Sequence, residues 1–192
     1  MTRVMHSVIS LWKSFLIFLE RALDHAYRET IGVPTLKRSE ITPQLYLGGQ
    51  YTPRGFHILR ERGITAIVSM RERAREGLPD LGEVKFLHLP TRDRHAPTLK
   101  QLVQGAAFIE DVINKNGKVY VHCAFGEGRG PTMVIAYLLK IGLTLEDALA
   151  QVKAVRRFIH PTSPQMSQLR AFYAQLHPDI SPKPKTERSA DV

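Results

Sequence analysis

Strand-like and helix-like segments alternate along the middle of this chain, which predicts an α/β fold with a largely parallel central sheet flanked by helices. Two observations carry that expectation. Short β-branched runs recur between helical patterns of ten residues or more, and three of those runs lead into loops dense in charge. In such sheets ligands gather at the carboxyl ends of the strands.

Each element has its own signature. Residues 1–28 repeat apolar side chains at Val4, Val8, Leu11, Trp12, Phe15, Phe18, Leu19, Ala22, Leu23 and Ala26, with polar residues between them. That spacing predicts an amphipathic helix. Lys13 and Ser14 interrupt the apolar run and Glu20-Arg21 closes it, short of the ~20 residues a bilayer span needs. Three occupants fit its apolar face: a membrane surface, the folded domain, or another protein. Residues 29–43, with Gly32, Pro34 and Pro43, read as a connector. Leu45–Leu47 is a short strand stopped by Gly48-Gly49, and Pro53–Arg62 a helix stopped by Gly63. Ile64–Met70 and Val84–Leu89 are strand-like. Thr98 and Gln101 form a capping box that opens a helix to Asn114. Val119–Val121 reads as a buried strand, followed by helices over Pro131–Lys140, Thr144–Phe158 and Pro164–Leu176. Phe172 and Tyr173 read as core positions of the last. Residues 44–178 thus form the expected folded domain. The tail 179–192 is polar and Pro-containing, the composition of a disordered segment.

The chain has 192 residues, 43% hydrophobic and 23% charged, which suits one sizeable core. A single cysteine excludes an internal disulfide and a Cys-built zinc site, and fits a reducing, cytoplasmic location with peripheral membrane attachment as the second expectation. The eight histidines show no metal-ligand spacing, so neither metal nor cofactor is expected. Net charge is +9, and residues 41–178 hold eighteen Lys/Arg against eleven Asp/Glu. A basic domain fits an anionic partner. No nucleic-acid recognition motif accompanies the charge, so nucleic acid is not expected. Arg156-Arg157, near a helix end, reads either as dipole compensation or as a rim contact to an acidic substrate.

The three loaded strand ends carry the chemistry. Ile64–Met70 runs into Arg71, Arg73 and Arg75. Val84–Leu89 runs into Arg92, Asp93, Arg94 and His95. Val119–Val121 runs into His122-Cys123-Ala124-Phe125-Gly126-Glu127-Gly128-Arg129-Gly130-Pro131-Thr132. That last segment follows a strand and opens a helix, with Pro131 suited to the first turn. A helix N-terminus offers free N–H groups and a positive dipole end. Gly126 and Gly128 let the loop curl so that more N–H groups point inward. The product is a cradle for a tetrahedral dianion, with Arg129 able to fork two of its oxygens. Cys123 lies at its base, where the same dipole would favour the thiolate, a nucleophile toward phosphorus. Taken alone, a cysteine there reads as an inert buried residue at a strand end; the Arg five residues on, the two glycines and the strand–loop–helix setting point to the nucleophile.

His-Cys-x5-Arg in this strand–loop–helix setting resembles the cysteine-based protein tyrosine and dual-specificity phosphatases. The resemblance covers roughly residues 41–177. It includes Leu45-Tyr46-Leu47-Gly48-Gly49, Pro97-Thr98-Leu99 and Tyr137-Leu138. The acid loop precedes the cysteine loop, as in the dual-specificity group. The spacing from Asp93 to Pro97-Thr98-Leu99, and Arg157-Phe158-Ile159-His160, are also similar to mitochondrial-type phosphatidylglycerophosphate phosphatases.

The resemblance implies Cys123 as nucleophile, Arg129 as phosphate clamp and Asp93 as the acid that protonates the leaving oxygen and then activates water. Asp93 could instead cap a turn; Asp80 and Glu83, before the strand, are weaker rivals. The resemblance places His122, Ala124, Phe125, Gly126, Glu127, Gly128 and Gly130 around the substrate phosphate, His122 in an orienting role. The partner implied is a phosphorylated protein or other phosphomonoester. Two positions depart from the family. Gly130 replaces the usual Ser or Thr after the loop Arg, which predicts slower turnover and opens a second reading, a phosphoprotein-binding pseudophosphatase. Glu127 brings a carboxylate into the cradle loop. Ala124, Phe125 and Glu127 are all non-basic, which weakens a third reading, a lipid phosphatase at a membrane.

Overall fold

The fold is seen in a computed structural model that describes residues 2–73 and 82–178, with side chains from Ile9 onward. Arg75, Asp80 and the tail 179–192 lie outside the described residues. Five strands form one sheet: β1 (Glu40–Thr42), β2 (Leu45–Gly48), β3 (Ala66–Ser69), β4 (Lys85–His88) and β5 (Val119–His122), in spatial order β1-β2-β5-β3-β4. All pairings are parallel except β1–β2. β5, last in sequence, is central and fully buried.

Side chains alternate across the sheet as the two-residue strand period requires. Val119 and Val121 face one core together with Leu45, Leu47, Ala66 and Val68. Tyr120 faces the other, with Tyr46, Ile67 and Phe56. Helices α3 (Leu99–Asn114), α4 (Arg129–Lys140), α5 (Leu145–Val155) and α6 (Ser163–Leu176) build the first core, while α2 (Pro53–Glu61) covers the second. α4 is buried from Arg129 to Leu139 and packs on α3, α5 and α6.

The structure departs from sequence expectation at several boundaries. α1 spans Thr2–Ile31 and ends at Gly32, whose φ of +96° only glycine adopts without strain. The stretch expected as a connector holds a 3-10 turn, Leu36–Arg38, and strand β1. β1 is three residues long, below what periodicity can detect. β4 is shorter than the expected strand, Lys85–His88, and is a half-exposed edge strand. α4 begins at Arg129, two residues before Pro131, because a proline costs no hydrogen bond anywhere in the first turn. α5 stops at Val155, not Phe158, since Arg156 leaves helical geometry and turns inward. The Thr98–Gln101 capping box forms as expected.

α1 docks with its polar face inward. At about 100° per residue, Glu20, Arg21, Asp24, His25 and Arg28 share one side. Asp24 is buried against the equally buried Arg156, with Nη2–Oδ2 at 3.0 Å. Arg157 pairs with Glu20. Arg156 is therefore neither a dipole partner nor a rim residue; it anchors α1. The reading in which the apolar face of this helix packs on the domain is overturned, because Leu11, Trp12, Phe15, Phe18 and Leu23 are exposed.

Candidate active site

Parallel pairing brings the ends of β2, β5 and β3 level: Gly48 and Ser69 both register with His122. The chain leaving β5 enters the loop 123–128 and then α4. The loop is braced from beneath, by Gln50 N–H donating to the Ala124 carbonyl (2.9 Å) and Met70 N–H to the His122 carbonyl (2.8 Å). Gly126 has φ +72°, and a Cβ there would lie 2.5 Å from the Gly48 carbonyl. Both facts require glycine, so the sequence signal at this position had a steric cause.

Cys123 is buried, and its Sγ accepts from the Gly126 N–H at 3.3 Å. The N-terminus of α4 aims its partial positive charge at the same loop. Arg129 is 6% exposed at the side chain. Its Nη1 donates to the Thr91 carbonyl at 2.9 Å, which fixes the guanidinium against the acid loop. Its Nη2 lies 2.7 Å from Asp93 Oδ1. Cys123, Arg129, Asp93, Phe125, Glu127 and Gly128 line one cavity of about 440 Å³. Its remaining wall includes Arg21, Arg94 and Gln165.

The other expected residues stand around the cradle, outside the cavity wall. His122, Ala124, Gly126 and Gly130 do not line the cavity. His122 is buried under the loop, between Tyr51 and Tyr120, with Nδ1 3.1 Å from the Cys123 carbonyl. Burial pushes its imidazole down to about 4, so the ring is neutral at pH 7. Glu83 is exposed and precedes β4, at the strand end opposite the cavity. Thr132 donates its hydroxyl to the Gly128 carbonyl at 2.8 Å, so it does not substitute for the hydroxyl missing at Gly130.

Three features escaped sequence reading. Glu127 is neutralised: Arg21 Nε and His25 Nε2 of α1 lie 2.8 and 2.9 Å from its Oε1. His25 also stacks on Phe125, with ring centroids 5.1 Å apart. The N-terminus of α6 holds the acid loop, with Thr162 Oγ1 donating to the Arg94 carbonyl (3.1 Å) and Gln165 Nε2 to that of His95 (2.9 Å). Arg94 has φ +61°, a left-handed conformation that costs an arginine about 1–2 kcal/mol, and these bonds help to hold it. The last helix was legible from Pro164 onward; its attachment to a loop some 70 residues earlier was not.

The chain was compared with known proteins. A family model described as dual specificity phosphatase, catalytic domain, matches residues 45–175. Human dual specificity protein phosphatase 5 is 32% identical over 148 residues, covering 76% of this chain and 38% of that protein. Human dual specificity protein phosphatase 6 is 34% identical over 139 residues, covering 71% of this chain and 36% of that protein. The chain thus spans less than two fifths of the length of these curated relatives. Among solved structures, human DUSP28 superposes with a TM-score of 0.66 at 26% identity, over 72% of this chain and 97% of its own. PTPMT1, solved in complex with PI(5)P, gives a TM-score of 0.67 at 23% identity, over 73% of this chain and 97% of its own, a likeness of fold. With the cysteine cradle, the clamped arginine and the facing acid loop all in one cavity, and two thirds of its length matched by the family model, the chain belongs to the dual specificity phosphatase family.

Proposed function

We propose that this chain hydrolyses phosphomonoesters through a phosphocysteine intermediate, with phosphotyrosine and phosphoserine or phosphothreonine of proteins as substrates. Residues 44–178 are the catalytic unit in this reading. The observation that carries it is Asp93 held 2.7 Å from Arg129 at the mouth of the cavity that contains Cys123.

The balance runs in two displacements. The Cys123 sulfur attacks phosphorus and the bond to the ester oxygen breaks. Asp93, as the carboxylic acid, gives its proton to the departing oxygen. Water then attacks the phosphocysteine; Asp93, now the carboxylate, takes the proton, and the P–S bond breaks to release inorganic phosphate. Arg129 and the loop N–H groups hold the non-bridging oxygens in both steps. The contact of Arg129 Nη2 with Asp93 Oδ1 supports a reading in which acid and phosphate clamp work side by side.

Phosphoprotein is favoured over lipid headgroup because the cradle loop supplies no basic side chain; Glu127 stands there instead. The test is hydrolysis of an aryl phosphate without added metal, wild type beside Cys123→Ser, followed by phosphotyrosine and phosphothreonine peptides. Turnover that survives the substitution refutes the nucleophile. A second reading, capture of phosphoproteins with little turnover, is favoured by one observation: Gly130 has no hydroxyl and Thr132 commits its own to Gly128. Phosphate binding by wild type without hydrolysis would select it.

A further inference from the structure

α1 presents its hydrophobic side to solvent. Leu11, Trp12, Phe15, Phe18, Leu19, Ala22, Leu23 and Ala26 fall within an arc of about 140° at about 100° per residue. From Leu11 to Ala26 that face runs for about 24 Å. Leu11, Trp12, Phe15, Phe18 and Leu23 are each more than half exposed. The opposite arc, with its five charged and histidine side chains, is the one buried against the domain through Arg156, Arg157 and Glu127. A helix recruited to cover a core would be turned the other way.

The helix carries most of the exposed apolar surface among the described residues. Off α1, only Val103, Phe125 and Ile141 are large, apolar and exposed among the described residues. Phe125 belongs to the other side of the helix, stacked on His25 and covered by the Arg28 guanidinium at the mouth of the cavity. Toward the C-terminal end of α1, Leu23, Ala26 and Tyr27 form a groove of about 510 Å³ with Lys37 and Arg38. Cations therefore border the apolar face, on a domain with a surplus of basic residues.

Three properties select the occupant. The arc is wider than the narrow seam a coiled-coil partner uses. It holds Trp12, Phe15 and Phe18 among leucines, the apolar face an interfacial helix carries. Its cationic border complements anionic headgroups. Among the described residues no helix is long and apolar enough to cross a membrane, so the contact would lie along the surface. We propose that the apolar face of α1 docks on an anionic lipid surface and holds the domain against the bilayer. This rests on surface geometry and stands whether or not the proposed hydrolysis holds, because binding is read without turnover.

Trp12 is the chain's single tryptophan and lies on this face, 62% exposed. The full chain is mixed with vesicles of phosphatidylcholine and phosphatidylglycerol, and with vesicles of phosphatidylcholine alone. Expected are co-sedimentation with the mixed vesicles, a blue shift of Trp12 emission, and weakening by salt. Phe15→Ser with Phe18→Ser lowers the partition coefficient by about tenfold or more. Both side chains are exposed and away from the cavity, so aryl phosphate hydrolysis stays unchanged. Lys37→Glu weakens binding to the mixed vesicles about fivefold while leaving phosphatidylcholine alone unaffected. No co-sedimentation and an unshifted emission would overturn the proposal. So would a blue shift that needs no lipid and tracks a concentration-dependent dimer, since a second copy would then cover the face.

Discussion

Replacing Asp24 by alanine strips the counter-charge from a cation with no access to water. The Arg156 side chain is 0% exposed and that of Asp24 1%. Arg156 donates to Asp24 Oδ2 at 3.0 Å and Oδ1 at 3.4 Å, to the Arg38 carbonyl at 3.2 Å and to the Phe125 carbonyl at 3.4 Å. Its Nε has no partner, and its guanidinium lies 4.5 Å from the Phe158 ring centroid. Breaking one side of a buried pair costs about 3–5 kcal/mol. Two carbonyls and a ring stay with the arginine, which places the loss near 3 kcal/mol. At about 2–4 °C per kcal/mol for a chain of this size, Tm falls by about 6–12 °C.

The loss has a second outlet. If α1 lifts away, water reaches Arg156 and the penalty is capped at the docking free energy of the helix. Thermal unfolding and hydrogen exchange over residues 16–31 therefore belong in one experiment. Asp24→Ala should lower Tm, speed exchange in that segment, or both. Pairing it with Arg156→Met should restore most of the lost stability, because an apolar side chain has no charge to desolvate. The Phe125 carbonyl is an Arg156 acceptor, so kcat/KM should fall as the cradle loop loosens. Tm within about 1 °C of wild type, with exchange over 16–31 unchanged, would refute the reasoning.

Gly130→Ser tests the missing hydroxyl: its Cβ would lie 3.6 Å from Cys123 N and 3.1 Å from Leu47 Cδ1, so a small shift of the leucine tip admits it. A hydroxyl hydrogen-bonded to a charged sulfur is worth about 1.5–3 kcal/mol, which predicts at least about tenfold faster breakdown of the phosphocysteine. An unchanged steady-state rate after the burst, with Tm intact, would remove Gly130 as the limit. His122 sets a pH dependence. Its imidazole stays neutral in the fold down to about 4, while in the unfolded chain it protonates near 6.5. The unfolded state binds more protons between those values, so stability is full above pH 6.5 and falls at up to about 1.4 kcal/mol per unit down to pH 4. His122→Asn should flatten that part of the Tm–pH curve relative to wild type. Arg21→Ala should weaken competitive inhibition by phosphate a few-fold, about fivefold at low salt, since Glu127 loses a partner that is itself half exposed. Glu127→Gln should strengthen it, and equal inhibition constants for wild type and both variants would disconnect α1 from the site.

Much of this protein is local, and local features are legible. Gly126, Gly128 and Arg129 sit within six residues of Cys123, and a strand running into a helix N-terminus makes the cradle almost wherever it occurs. Thr98 and Gln101 announced α3 because a capping box satisfies its own N–H groups. Asp93 was legible as the charged end of a strand in a parallel sheet. The rest depends on pairings distant in the chain. Arg21 and Glu127 are 106 residues apart, Asp24 and Arg156 132, and Gln165 meets the acid loop across 70. No periodicity marks such partners.

The sequence by itself determined the fold class, the cysteine cradle and the charged strand end that carries Asp93, because hydrophobic period, glycine and capping chemistry act over a few residues. Only the tertiary structure decided which way α1 faces. Its apolar stripe gave the helix an amphipathic pattern, but burial of Asp24 against Arg156 outweighed it as the docking contact. The same packing supplied the partners that neutralise Glu127. A buried charge must find its counter-charge wherever the chain can bring one, and that search is settled only when every element is in place.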